Sequence, residues 1–261
     1  MVHKEILTVK YVQSAKNPQV KQWKKLHTKK ERERSGTYMV EGFHLVEEAL
    51  KYDGVVIEVL VKEGVDLPSL WNMAGVSVIV LSDDAAKAVS ATETSQGVFA
   101  VCHQREEEID ELKGKTFLML DEVQDPGNLG TIIRTADAAG MDMIILGEGT
   151  ADLYNPKVLR SAQGSHFHLP IVKGNLSSWV GRLKTEGIPV YGTALENSSA
   201  YHNVTSTESF ALILGNEGNG VSPSILDSTD QNLYVPIYGK AESLNVAIAA
   251  GILMYHLKKA Q

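Results

Sequence analysis

Cysteine is almost missing from this chain of 261 residues, where Cys102 stands alone. A single thiol excludes internal disulfides and fits a reducing compartment. Its strand-like surroundings, "GVFAVC", read as a buried inert side chain rather than a nucleophile. Long apolar runs are missing too. The longest, "VAIAAGILMY" at 246–255, falls well short of the roughly 20 residues that span a bilayer and reads as a buried helix. No apolar core follows "MVHKEILTVKYVQ", so a signal peptide is not expected, and the expectation is a cytoplasmic protein without membrane attachment. Metal-ligand patterns are thin. His166 and His168 lie at i, i+2 on a strand-like segment with no third ligand at recognisable spacing, so no metal is expected. No G-x-S-x-G elbow supports hydrolase chemistry.

Positive charge is scarce overall, with a net charge of −7, yet it is concentrated. Residues 1–34 carry ten Lys or Arg against three acidic residues, and the remainder 15 against 29. A basic N-terminal leader helix (1–34) is expected to precede an acidic body. In "PQVKQWKKLHTKKERER" Lys21, Lys24, Lys25, Lys29 and Lys30 interleave with Trp23 and His27, a pattern that suits RNA phosphates. The same spacing also describes a solvated amphipathic helix with Val20, Trp23 and Leu26 turned inward, and one helix can do both.

Beyond the leader, "GTYMVEGFHLVEEALKY" reads as a strand entering a helix, and three further apolar runs alternate with helical pieces to about residue 105. This is a small α/β domain (35–105). The acidic stretch at 106–115 reads as a linker. From 116 to 261 the alternation restarts, with strands expected at 117–123, 143–147, 167–172, 188–193, 210–214 and 233–237 and a final helix from 243 to about 258. Alternation of this kind predicts a mostly parallel sheet covered on both faces.

Ligands of such sheets bind outside the carboxyl ends of the strands. Three loops at these ends stand out: "DEVQDPGNLG" (121–130), "GNEGNGVS" (215–222) and "PIYGKAESLN" (236–245). The second carries Gly215, Gly218 and Gly220, which either let backbone N–H groups approach a ligand or make a tight turn. It is not G-x-G-x-x-G and no P-loop lysine follows, which disfavours phosphate anchoring of ATP or a dinucleotide. In "NLGTIIRTADAAG" (128–140), Leu129, Ile132, Ile133, Ala136 and Ala139 form one helical face. Arg134 lies opposite with small neighbours, free either to pair with Asp137 at i+3 or to meet something large. Asn155 and Pro156 open a capped helix whose Arg160 is a structural residue or a second RNA contact.

The three loops, in this order, resemble the SpoU (TrmH-like) class of the SPOUT RNA 2′-O-ribose methyltransferases. "NLGTIIRTADAAG" is similar to the first motif, N-x-G-x-x-x-R, "LILGNEGNGVS" to the second and "VPIYGKAESLNVAIAAGILMY" to the third. The segment from Asn17 resembles the substrate-binding domain such enzymes often carry. The resemblance implies a trefoil-knotted, mostly parallel C-terminal SPOUT domain beside a smaller RNA-binding α/β domain. It implies methyl transfer from S-adenosylmethionine to a ribose 2′-OH, with rRNA preferred over tRNA as substrate. It also implies a homodimer formed through the C-terminal domain, with the active site built across the subunit interface. Ala247 and Gly251 are small enough for close helix approach, either between subunits or within one.

By the same resemblance, Asn128, Arg134, Glu217, Ser243 and Asn245 take catalytic positions. Leu214, Gly215, Asn216, Glu217, Gly218, Ile237, Leu244, Asn245 and Ala247 would hold the cofactor. A guanidinium hardly deprotonates, which favours Arg134 as a phosphate clamp over a general base, and the sequence leaves that choice open. A non-catalytic RNA-binding or ribosome-assembly protein on the same scaffold is the rival reading. It predicts loss of the motif polar residues, and all five are present.

Overall fold

The computed structural model describes residues 10–105 and 114–259, and the expected linker at 106–115 lies largely outside them. The chain divides into two compact units, one of residues 1–105 with 154–164 and one of residues 106–153 with 165–261.

The first unit is built around a five-stranded sheet in the order β1-β4-β3-β5-β2. Its strands are β1 (Lys10–Val12), β2 (Thr37–Glu41), β3 (Val56–Lys62), β4 (Ser77–Leu81) and β5 (Val98–His103), and its helices are α1 (Pro18–Lys25), α2 (Lys29–Ser35), α3 (Phe43–Leu50), α4 (Asp83–Val89) and, from later in the chain, α6 (Pro156–Ala162). The described part of the expected leader is not one helix. Its first strand pairs in parallel with β4, and the helical part breaks between Lys25 and Lys29. Asn17 caps α1 by accepting from the Gln19 N–H, and Pro18 opens the helix, which accounts for its start. Val12, Val20, Trp23 and Leu26 sink into the unit's core with Leu60, Ile79, Leu81 and Phe99. The leader is therefore part of the domain, held by apolar burial. Cys102 is fully buried, and burial pushes its thiol pKa up, as expected for an inert side chain.

The second unit carries a seven-stranded sheet in the order β10-β12-β9-β11-β6-β7-β8, with every pairing parallel. The strands are β6 (Thr116–Leu120), β7 (Met143–Leu146), β8 (Ile171–Lys173), β9 (Val190–Thr193), β10 (Ser199–Ala200), β11 (Phe210–Leu214) and β12 (Gln231–Tyr234). The helices are α5 (Pro126–Ala138), α7 (Leu176–Thr185), α8 (Pro223–Leu226) and α9 (Val246–Leu257). Strands β6 and β11 are buried at every position, as fully apolar runs covered on both faces must be. Three strand expectations shift. The first ends at Leu120, because Glu122 adopts a left-handed backbone (φ 55°) that leaves the ladder. The expected strand at 167–172 instead holds a 3-10 turn at Ser165–Phe167 and then β8, so His166 and His168 do not share a strand face. The last ends at Tyr234 rather than 237.

Helix α5 starts where its sequence says it should. Asp125 caps it by accepting from the Asn128 N–H at 2.8 Å, and Pro126 follows. Leu129, Ile132, Ile133 and Ala136 are fully buried, and Gly140 takes φ 68° just beyond the helix end. Helix α9 packs on α5, and a Cβ at Gly251 would lie 3.5 Å from the Thr135 methyl carbon. Gly251 thus serves close helix approach within one chain.

Candidate active site

The order of the seven-stranded sheet fixes where a ligand fits. From β6 the chain moves outward through β7 and β8, then returns to add β9, β11 and β12 on the other side. Neighbouring strands β6 and β11 therefore send their following loops in different directions, which opens a crevice at their carboxyl ends. A cleft of about 750 Å³ lies beside that crevice, over the carboxyl ends of β9, β11 and β12, lined by residues of 193–196, 214–221, 233–237 and 242–246, with Ala249 and Leu253 of α9 behind. That volume is within the range of small-molecule sites.

A short polar relay ties the loops together. The Glu217 carboxylate accepts from the Gln124 N–H (3.2 Å), the Asp125 N–H (3.1 Å) and the Asn128 side-chain amide (3.0 Å). The Asn128 side-chain oxygen accepts from the Asn245 amide at 2.9 Å. Asn245 in turn caps α9, its oxygen accepting from the Ala247 N–H at 2.9 Å and the Ile248 N–H at 3.4 Å. One chain of hydrogen bonds thus joins all three motif loops and fixes each amide's orientation. Partial burial pushes the Glu217 carboxyl up, but the donors from Asn128 and the surrounding backbone outweigh it and hold the pKa below the ordinary value. Two further side chains stitch the first and second loops. Asp121, buried, accepts from the Ser222 N–H (2.7 Å) and hydroxyl (2.6 Å), and Asn216 donates to the Glu122 carbonyl at 2.9 Å.

The glycines of the second loop serve the turn itself. A Cβ at Gly215 would lie 2.1 Å from the Gly220 and Val221 backbone, and Gly220 has φ 72°. The N–H groups of Gly218 and Asn219 donate to the Asn216 side chain, and that of Gly220 to the Asn216 carbonyl. These three donors are engaged within the loop, so the tight-turn reading holds for them.

Of the expected cofactor residues, Leu214, Gly215, Asn216, Glu217, Gly218, Ile237, Leu244 and Asn245 line the cleft, as does Ser243. Ala247 does not. It is 6% exposed and sits in the first turn of α9, where its role is the capped N–H. Arg134 does not line the cleft either. It is exposed on α5 and makes no ion pair among the described residues. The expected alternative partner, Asp137, is taken by His168, whose Nδ1 lies 2.7 Å from its carboxylate. Lys21, Lys24, Lys25, Lys29 and Lys30 are all exposed, with Lys29 3.7 Å from Glu33. Arg160 belongs to the first unit, half-buried beside a water-sized cavity of about 10 Å³ with His27 and Glu41.

The cleft also holds residues that motif reading missed: Thr193, Ala194, Leu195 and Glu196 after β9, and Glu242 before α9. The signal was available, since β9 ends at the same sheet edge beside β11. Its charged lining is acidic throughout, with Glu196, Glu217 and Glu242 and neither Lys nor Arg. Leu214, Ile237, Leu244 and Val246 supply apolar surface suited to an adenine. Carboxylates suit the positive sulfonium and ammonium of S-adenosylmethionine, and the residues present fit that group.

Comparison with known proteins agrees. The profile of the SpoU rRNA Methylase family matches residues 115–255, and that of the MRM3-like substrate binding domain matches residues 17–100. The chain belongs to the SpoU rRNA methylase family. It is an S-adenosylmethionine-dependent rRNA ribose methyltransferase with the SPOUT fold in its second unit and a smaller α/β domain in its first. It is 58% identical, over 96% of its length and 100% of the relative's, to the 23S rRNA (guanosine(2553)-2′-O)-methyltransferase RlmP of Bacillus subtilis. Among solved structures it is similar to the AdoMet-bound rRNA methyltransferase of Sinorhizobium meliloti (TM-score 0.86, 32% identity, 95% of this chain and 97% of that one). The SpoU methyltransferase AviRb of Streptomyces viridochromogenes, solved with AdoMet, gives a TM-score of 0.82 at 27% identity over 92% of this chain and 97% of that one.

Proposed function

We propose that this enzyme methylates the ribose 2′-OH of one guanosine of 23S rRNA, with the 750 Å³ cleft as cofactor site and Arg134 as the group that holds the RNA. The reading of the target rests on the similarity to the Bacillus relative. The observation that carries the site is the relay from Glu217 through Asn128 to Asn245, which brings the three loops together at one sheet edge.

The bound cofactor supplies an electrophilic methyl group. Leu214, Ile237 and Leu244 would hold its adenosine, and the acidic rim would complement its positive charge. Asn128, Glu217 and Asn245 act as positioning residues, because their polar atoms are spent on one another and on backbone N–H groups. Ser243 is the motif polar side chain left to touch the substrate directly. Arg134 grips the phosphate beside the target nucleotide with a bidentate fork and stabilises negative charge developing on the ribose oxygen, whose proton passes to a phosphate oxygen or water as the methyl group arrives. Positioning of this kind can supply much of the rate.

Arg134 stands outside the cleft of its own chain, which supports a homodimer in which each subunit's arginine serves the cleft of the other. Ile248 and Tyr255, 55% and 61% exposed, lie with Ile252 on one face of α9 and offer the apolar surface for that contact. The C-terminal unit is read as trefoil-knotted and the protein as cytoplasmic. The exposed lysines of α1 and α2 add nonspecific phosphate contacts. A mixed-subunit experiment tests the reading. Arg134→Ala and Ser243→Ala proteins, each inactive alone, are expected to regain part of the activity when unfolded and refolded together. Failure of the hybrid, with both parents dimeric, would mean that one subunit supplies both Arg134 and Ser243 to a site. Mapping of 2′-O-methyl groups in 23S rRNA with and without the protein tests the target.

A further inference from the structure

Tyr238 is 91% exposed, although it follows Ile237, which lines the cleft, and precedes Ser243–Asn245, which line it again. A tyrosine left almost wholly in water at the mouth of a site has no packing role in the folded chain. The loop around it is open, since a Cβ at Gly239 would meet nothing within 4 Å. Lys240, two residues on, is exposed and makes no ion pair among the described residues. Together they place one aromatic ring and one cation at the rim of a cleft whose charged lining is otherwise three glutamates.

That contrast matters for a polyanionic substrate. Glu196, Glu217 and Glu242 repel the phosphodiester backbone at the point where the ribose has to enter. A nucleobase is uncharged and presents a flat face, so it can be held where a phosphate is unwelcome. Chemistry at the 2′-oxygen leaves the base unreacted and available as a handle. Base–aromatic stacking is the usual means of gripping unpaired nucleotides.

We infer that Tyr238 is a stacking platform for an unpaired nucleobase at or next to the methylated ribose, with Lys240 on the neighbouring phosphate. The inference rests on the RNA methyltransferase reading of the cleft. Because every base has a π face, the platform tolerates sequence but favours the larger purine surface.

The test uses full-length protein, unmodified 23S rRNA transcript and the variants Tyr238→Phe, Tyr238→Leu, Tyr238→Ala and Lys240→Gln. Removing the ring is expected to weaken transcript binding about 5- to 150-fold, the range for one stacked base. Tyr238→Phe keeps the ring and retains most of the affinity, whereas Tyr238→Leu, apolar but not flat, behaves like Tyr238→Ala. Lys240→Gln lowers the slope of affinity against salt by about one contact. Calorimetric cofactor affinity and the mass in solution stay at the wild-type values throughout. Equal affinity for the Leu and Phe variants would mean that the side chain serves apolar packing, and a change of mass would mean that it serves subunit contact. Either result overturns the inference. Activity of the wild-type protein on the transcript is the separate check on the methyltransferase reading.

Discussion

Glu217→Gln isolates what the relay does. In the wild type the carboxylate faces three donors, Gln124 N–H, Asp125 N–H and the Asn128 amide. An ionised carboxylate is acceptor-only and suits all three, whereas a carboxamide offers one oxygen and turns its NH₂ toward a donor. At least one bond is lost and one donor–donor contact is created. Hydrogen bonds to charged groups contribute roughly 1.5–3 kcal/mol when shielded. Glu217 is exposed and water replaces part of each bond, so a net loss of about 1–2 kcal/mol is expected, discounted for that screening. If the loss falls on loop arrangement, cofactor affinity drops about 5- to 30-fold. The pH dependence has a definite sign. A carboxyl whose folded pKa is depressed contributes stability above its ordinary value of 4.5 and loses it as pH falls through the folded value. The advantage of wild type over Gln is therefore full at neutral pH and shrinks only below about 4.5. Calorimetric titration with S-adenosylmethionine at neutral pH, with thermal melts from about pH 7 down to about pH 3, below the ordinary carboxyl pKa, measures both. A Gln variant with wild-type cofactor affinity and an unchanged melting profile would refute the relay as the device that arranges the cleft.

Arg134→Lys is expected to lose most methyl transfer with an unchanged melting temperature, because an ammonium cannot reproduce a planar fork and the exposed side chain pairs with no described residue; near-wild-type turnover would return it to a surface role. Asp121→Ala leaves the Ser222 N–H and hydroxyl without their acceptor at a buried position and should lower stability by roughly 1–3 kcal/mol in denaturant titration. Neutralising Lys21, Lys24, Lys25, Lys29 and Lys30 together should flatten the salt dependence of transcript binding while cofactor affinity holds, and an unchanged slope would make them merely solvating charges. Ile248→Arg with Tyr255→Glu is expected to yield monomers in sedimentation, and an unchanged mass would rule out that face of α9 as the subunit contact.

Local rules carried much of the fold. The apolar period of 128–140, its Asp-Pro start and its glycine stop all reappear in α5, because cap, propensity and buried face agree there. The fully apolar runs 117–120 and 210–214 were legible as central strands for the same reason. The segment at 165–168 misled because alternation over a few residues cannot distinguish a short strand from a turn followed by one. In the leader the inward turn of Val20, Trp23 and Leu26 is legible from their spacing, whereas β1 and the helix break between Lys25 and Lys29 are not, since a strand of three residues leaves no periodic trace. In the site, motif order located the cleft and eight of its expected cofactor residues. Periodicity holds no trace of the hydrogen bonds joining Glu217, Asn128 and Asn245, since their spacing of 89 and 117 residues closes only in the folded chain. Nor could it separate Gly215 and Gly220 as turn formers from ligand-facing glycines, a distinction that rests on which N–H groups are already used.

The most direct measurement is methyl transfer itself. Purified protein is incubated with unmodified 23S rRNA transcript and S-adenosylmethionine carrying a deuterated methyl group, and the RNA is digested to nucleosides for mass spectrometry. One deuterated 2′-O-methyl nucleoside is expected, absent from reactions with Arg134→Ala; label on a base, or no label from protein that binds both cofactor and RNA, would contradict ribose methylation at this site.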